Sequence, residues 1–265
     1  MPNTTPYYLF FDFDETIFIN KIVPKATETA IKKAQAKGCK IYMNTGRTFK
    51  HLLDALTPAT DIKFDGYLCS FNTIVLNQDE KPFLEGKHLT HDETVKLIDY
   101  SIRKSYWSAI QTESDAVYTI KLEGDVVYTP AELEVFRKEA LDFISDKKIL
   151  KYNIYPPKSK NFKSDDIDTA LDGYAWIENA HGYEGHFANE DKGTLLKKFA
   201  EMTGYDFDKF IVFGDSANDV GAFSVAKTSV AMECAIPKVK ELATYVATEQ
   251  EGVAQYINEV LLKKL

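Results

Sequence analysis

The sequence predicts an α/β fold in which a parallel-sheet core carries a second α/β unit inserted into it. Three observations lead there. At both ends of the chain, short aliphatic or aromatic runs alternate with stretches whose apolar residues recur at helical spacing, the pattern of a parallel sheet covered on both faces. The middle, residues 84–185, has capping signals and strand-like runs of its own. Segments resembling the first unit resume only after about residue 192, so the termini are expected to share one domain.

The elements follow in order. "YYLFFDF" reads as a strand buried on both faces, and "PKATETAIKKAQAKG" as a helix with Ala26, Ala30, Ile31 and Ala34 on one side and Gly38 as its stop. "CKIYMNTGR" is a second strand. Phe49, Leu52, Leu53 and Leu56 then give the i, i+3, i+4, i+7 stripe of another helix. "DGYLCSFNTIVL" supplies a third strand and a hairpin partner. In the middle, Thr90 with Glu93, and Thr129 with Pro130 and Glu132, are capping boxes that open helices. "YWSAIQT", "AVYTIKL", "KILKYNIY" and "YAWIENA" read as strands. "KGTLLKKFAEMTG", "KFIVFGD", "ANDVGAFSVA", "TSVAM", "PKVKELA", "YVAT" and "EGVAQYINEVLLKKL" then restore the alternation.

Composition narrows the function classes. A formal charge of -8 supplies no basic stripe for a phosphate backbone, so no nucleic-acid partner is expected. The apolar run near the start stops at Asp12, too short for a signal segment or a membrane span, which points to a cytoplasmic protein without a membrane partner. Cys39, Cys69 and Cys234 are odd in number, far apart and without a CxxC pair; reduced, buried thiols are expected. The five histidines form neither HExxH nor a zinc spacing, and loop or core roles are expected of them, including His181 and His186 at the exit from the middle unit. No GxGxxG or GxxxxGK[ST] occurs, which removes the main device of dinucleotide and NTP folds.

The carboxylates carry the chemistry. On a strand, residues two apart point the same way, so Asp12 and Asp14 are expected to project together beyond the first strand, at the carboxyl edge where ligands bind in open parallel sheets. Taken alone, the pair fits either a bound cation or two solvated turn residues. "VFGDSANDVGAF" adds Asp215 at the end of another apolar strand and Asp219 four residues later; hard oxygen ligands from separate strand ends suit Mg²⁺. Taken singly, Asn218 or Asp219 also reads as a helix cap. Thr45 in "NTGR" ends the second strand, and Lys192 in "EDKGTLL" opens a helix whose N-terminal amides attract anions.

With Asp-x-Asp, Thr, Lys and Asp in this order, the chain resembles the haloacid dehalogenase (HAD) superfamily of phosphohydrolases, and within it the Cof-like group with a type IIB cap. "DFDET", "NTGR", "DKGTLL" and "GDSANDVGAF" match the four motifs, and "VAMECAIPKVKELATYVATEQEGVAQYI" looks like the tail of that group. The resemblance implies a Rossmann-like HAD core over residues 1–83 and 186–265, with a cap over 84–185 that sets substrate specificity. It implies Asp12 as nucleophile, Asp14 as general acid and base, and Thr45 and Lys192 on the transferring phosphoryl group. Mg²⁺ would be held by Asp12, the backbone carbonyl of Asp14, Asp215 and Asp219. The substrate would be bound by Thr45, Gly46, Arg47, Asn72, Lys192 and Asn218. The activity implied is a Mg²⁺-dependent phosphatase acting through an aspartyl-phosphate on a small phosphorylated metabolite, a sugar phosphate or a phosphorylated cofactor. The alternative is a metal- or phosphate-binding regulatory protein with little or no turnover. The chain departs from the group's pattern at Glu15 and Thr73, where Gly is usual, and at Glu233 and Cys234, where Gly and Asn are usual.

Overall fold

A computed structural model describes residues 6–76, 82–114, 116–123, 126–157, 172–178 and 182–265. The chain divides into two compact units, Met1–Gly86 with Glu190–Leu265, and Lys87–Asn189.

The first unit is built on an eight-stranded sheet. In chain order its first elements are β1 (Tyr8–Phe11), α1 (Lys25–Ala36), β2 (Lys40–Thr45), α2 (Phe49–Leu56), β3 (Gly66–Cys69), β4 (Thr73–Leu76) and β5 (Pro82–Leu84). The second unit follows with α3 (His91–Lys104), β6 (Trp107–Thr112), β7 (Val117–Ile120), α4 (Pro130–Ile144), β8 (Ile149–Tyr155), β9 (Tyr174–Glu178) and β10 (Tyr183–Phe187). The chain then returns to the first unit with α5 (Lys192–Thr203), β11 (Phe210–Gly214), α6 (Val220–Val225), β12 (Thr228–Ala231), α7 (Pro237–Leu242), β13 (Tyr245–Val246) and α8 (Gly252–Tyr256), which runs into a π turn at Ile257–Leu261.

The strand order of the first sheet is β13-β12-β11-β1-β2-β3-β4-β5, parallel from β13 to β3 and antiparallel at its β4 and β5 edge. Alternation along β1 sends Leu9 and Phe11 to one face, where α1, α2 and α8 pack, and Tyr8 and Phe10 to the other, where α5, α6 and α7 pack. Residues of both periods are therefore apolar, the signature of a strand covered on both sides. Phe10 and Phe11 are wholly buried, each stabilising the fold by about 1.5–3 kcal/mol relative to an exposed side chain.

The second unit is an antiparallel sheet, order β7-β6-β8-β10-β9, with α3 and α4 packed on one face. Both helices open with the capping boxes read from the sequence, at Thr90 with Glu93 and at Thr129 with Glu132. Tyr152 is its central side chain. The hydroxyl donates to Leu97 O at 3.1 Å or to Ser101 Oγ at 2.9 Å and lies 3.0 Å from Ser108 Oγ, so α3, β6 and β8 share one satisfied buried polar group. β10 lacks an alternating pattern in sequence. It is made by packing, since a Cβ on Gly185 would meet the Tyr174 ring at 2.2 Å.

Candidate active site

The carboxyl ends of β1, β2 and β11 converge because β1 lies between the other two: Phe11 is in register with Met43 on one side and Phe213 on the other. Asp12 is the first residue beyond β1. Its backbone N–H donates to Phe213 O at 3.0 Å, which adds one rung to the ladder and aims a carboxylate that is only 4% exposed.

Lys192 is the first residue of α5, which Asp191 caps by accepting from Thr194 N at 2.7 Å. The Lys192 side chain is wholly buried, and its Nζ donates to Asp12 Oδ1 at 2.5 Å and to Asp219 Oδ1 at 2.6 Å. The helix comes this close because its second residue is glycine: a Cβ on Gly193 would lie 2.3 Å from Gly221 O, at the start of α6.

Asp219 does two things at once. Oδ1 receives Lys192, while Oδ2 accepts from the backbone N of Asp215 at 2.9 Å and of Ser216 at 3.0 Å. The capping role read from its sequence position and a place in the site are therefore the same residue's two oxygens. Gly214 makes room for it, since a Cβ there would meet Asp219 Cγ at 2.3 Å. Asp215 accepts from Thr16 Oγ1 at 3.2 Å through Oδ1.

One oxygen from each of Asp12, Asp215 and Asp219 lies within 4.8 Å of the others. Three carboxylates face one ammonium in this buried volume, which leaves two negative charges without a counter-charge. The protonation equilibria register the imbalance. Burial, with Asp219 and Asp215 adding to it and Lys192 opposing, holds Asp12 well above the usual carboxylate range. Burial and Asp219 push Asp215 up to about 7, with Glu15 adding and Lys192 and Thr16 opposing. Burial disfavours the charge on Lys192, yet Asp12 and Asp219 outweigh it and hold the ammonium above its ordinary range. A hard, oxygen-only donor set with two uncompensated charges fits Mg²⁺.

Thr45 ends β2 and is buried; its Oγ1 accepts from Arg47 N at 3.2 Å, and its carbonyl accepts from Ser70 N at 3.1 Å. Gly46 lies between Thr45 and Arg47, and Asn218 accepts from Ser216 Oγ at 3.1 Å.

Two expectations are corrected, for Asp14 and Cys234. Asp14 does not project beside Asp12. The strand ends at Phe11, and the chain closes a tight turn in which Ile17 N and Phe18 N both donate to Phe13 O, at 3.1 and 2.9 Å. Phe13 is thereby buried, and Asp14 turns outward to Arg47, which donates from Nη2 to Oδ1 at 2.7 Å and from Nε to Oδ2 at 2.8 Å. The Asp14 side chain thus lies outside the carboxylate group, and only its backbone remains a candidate ligand. Asn72 donates from Nδ2 to the buried Glu190 Oε2 at 3.0 Å and accepts from Thr73 Oγ1 at 3.2 Å. It ties the β3–β4 hairpin to the entry of α5. Cys234 is exposed, unlike Cys39 and Cys69, and its Sγ lies 3.7 Å from Glu15 O. His181 lies outside the described residues.

Glu15 also acquires a physical description. It is exposed with φ +54°, in the left-handed region that glycine adopts without strain. Thr16 and Glu190 carry no signal that sequence reasoning found: one is a hydroxyl following two acidic residues, and pairs with Asp215, 199 positions away; the other pairs with a residue 118 positions away.

These features define a hydrolase core with an acidic centre at the strand ends. The chain belongs to the haloacid dehalogenase-like hydrolase family, which it matches over residues 9–257, and the enzyme is a phosphatase of that type. Phosphatase YwpJ of Bacillus subtilis (strain 168) is 24% identical over 296 residues, covering 94% of this chain and 98% of its own. The 5-amino-6-(5-phospho-D-ribitylamino)uracil phosphatase YitU of the same organism is 22% identical over 271 residues, 97% of this chain and 98% of its own. The solved structure of BT4131, a HAD subclass IIB sugar phosphatase, shares the fold with a TM-score of 0.74 at 18% identity, over 95% of this chain and 98% of that one. Among the described residues no helix is long and apolar enough to cross a membrane.

Proposed function

We propose that this phosphatase hydrolyses monoesters of a small phosphorylated metabolite, a sugar phosphate or a phosphorylated cofactor, with Mg²⁺ and through an aspartyl-phosphate on Asp12. The observation that carries the reading is the buried meeting of Asp12, Asp215 and Asp219 with Lys192 at the strand ends. A phosphoryl group brought there meets a nucleophile whose position is fixed by the sheet, so the site contributes positioning and charge rather than flexibility.

Mg²⁺ would be held by Asp12, the Asp14 carbonyl and Asp215, with Asp219 as a further or outer ligand, and when bound it supplies charge neutralisation for the phosphoryl oxygens. Asp12 attacks phosphorus as the bond to the leaving oxygen breaks, and Asp14 gives that oxygen its proton. Water then attacks phosphorus, the bond to Asp12 breaks, and Asp14 takes the water's proton. Thr45 donates to the phosphoryl oxygens and Lys192 neutralises them. Gly46, Arg47 and Asn218 complete the phosphate pocket, and Asn72 supports it through Glu190.

The unit Lys87–Asn189 would act as the cap that selects the leaving group. YitU and BT4131 bear names that put a ribityl derivative and sugar phosphates among the substrates of this fold, which supports a polyol or sugar leaving group. A panel of phosphate esters assayed with Mg²⁺ and again with chelator tests the reading. Hydrolysis of sugar or polyol phosphates that disappears with chelator is expected. Phosphate binding with no ester turned over would favour the regulatory alternative.

A further inference from the structure

The pairing of Asp14 with Arg47 carries a consequence for the reaction proposed above, on which this inference rests. The acid and base steps need an Asp14 oxygen at the leaving oxygen, and later at water. Both Asp14 oxygens are instead occupied by one guanidinium, at 2.7 and 2.8 Å. A carboxylate clamped at both oxygens is oriented on Arg47 and not on a leaving group.

Arg47 is well placed to release it. Its backbone is fixed on both sides, by donation to Thr45 Oγ1 at 3.2 Å and by its carbonyl accepting from Ser70 N at 3.1 Å. Its guanidinium carbon lies 4.9 Å from the centre of the Phe13 ring, so the flat of the side chain has an apolar rest. The pair is partly open to solvent, with Asp14 53% and Arg47 28% exposed in their side chains, so water can reach it and compete for both partners. The Lys192 pairs, by contrast, are sealed. A bidentate guanidinium suits phosphate as well as it suits carboxylate, and Arg47 follows Thr45, the hydroxyl assigned to the phosphoryl group, by two residues.

We propose that Arg47 is a positioning residue that parks Asp14 in the resting enzyme and hands it over when substrate arrives. The substrate's phosphate takes the guanidinium, and the freed Asp14 carboxyl turns to the leaving oxygen. Asp14 accepts from Arg47 at both oxygens and so carries no proton while parked; once released it takes one from solvent, gives it to the leaving oxygen as the ester bond breaks, and takes another from the attacking water as the bond to Asp12 breaks. Arg47 exchanges one anion for another and transfers no proton.

The test is a binding cycle that needs no turnover. Inorganic phosphate is titrated calorimetrically, in Mg²⁺, into the intact protein, Asp14→Asn, Arg47→Gln and the double variant. Because Asp14 and phosphate compete for one guanidinium, Asp14→Asn should tighten phosphate binding about fivefold or more, the lower end of a coupling between competing sites. In the Arg47→Gln background the same change should tighten it less than about twofold, since the competition is gone. An equal gain in both backgrounds would mean simple charge repulsion and overturn the handover, as would no gain in either.

Steady-state kinetics supply a second reading. Arg47→Gln should raise KM for an alkyl phosphate and for p-nitrophenyl phosphate alike, leave their kcat ratio unchanged, and be partly rescued by Arg47→Lys. A selective fall in kcat for the alkyl ester, whose leaving oxygen needs a proton, would show that Arg47 stays on Asp14 throughout and would overturn the proposal. Failure of the binding cycle leaves the phosphatase reading intact. Absence of hydrolysis by the intact protein would defeat that reading without altering the cycle.

Discussion

Asp12 and Asp14 are two residues apart and occupy opposite environments. Asp12 is sealed among Lys192, Asp215 and Asp219, and its position is set by the sheet ladder. Asp14 stands half in water on a guanidinium that water can replace. In the sealed region electrostatic terms are large and cannot be screened away; in the open region they are small and reversible. A nucleophile benefits from the first condition. A group that must act twice, once as acid and once as base, benefits from the second.

The largest effect should come from breaking the sealed side. Lys192→Met leaves buried carboxylates without their ammonium, and removal of one partner of a buried pair costs about 3–5 kcal/mol. Turnover should fall about 10²–10³-fold or more, as for loss of a preorganised charge at a transferring group. Thermal melts and kcat check both. A stable variant with near-normal kcat would show that the buried ammonium is incidental to the site.

A smaller effect should appear in the balance between protons and metal. Asp215 is raised to about 7 and Asp12 well above its usual range, so in the metal-free protein these groups favour the folded state at low pH. That contribution is full below the unfolded carboxylate pKa and is lost as pH rises through about 7. The melting temperature with chelator should therefore drop between pH 5.5 and 8, and Mg²⁺ should restore it at pH 8 while having little effect at pH 5.5. Equal stabilisation by Mg²⁺ at both values would break the link between the buried carboxylates and the metal.

The smallest effect belongs to the open side. Glu15, with φ +54°, bears a left-handed conformation that costs a side-chain-bearing residue roughly 1–2 kcal/mol and glycine little. Glycine's greater freedom when unfolded offsets part of this, so Glu15→Gly should stabilise by about 0.5–1 kcal/mol and raise the melting temperature by about 1–3 °C. Activity should persist with at most a modest change in KM and no change in metal preference. A loss on the scale of Asp12→Asn would place Glu15 within the catalytic group.

Much of this was legible in the sequence, and for physical reasons. Thr90 with Glu93 and Thr129 with Glu132 cap their helices locally, so four residues suffice to read them. The aromatic runs of β1 and β11 announce strands covered on both faces, and their ends place Asp12 and Asp215. What failed was the assumption that alternation continues past Phe11. A turn closed on Phe13 O turns the side chain of Asp14 outward, and nothing in "DFDET" signals it. The Asn72–Glu190 and Arg47–Asp14 bonds span 118 and 33 positions and exist only once the sheet has assembled. β10 was missed because Gly185 fits under Tyr174 rather than following a strand pattern.

The central claim is that the sealed carboxylate, Asp12, takes the phosphoryl group. Acid quenching during turnover of an active ester, followed by peptide mapping, measures this directly. The account predicts phosphate on Asp12, labile to hydroxylamine and absent from Asp12→Asn, which should be inactive. Rapid hydrolysis with no adduct on Asp12, or an active Asp12→Asn, would contradict it.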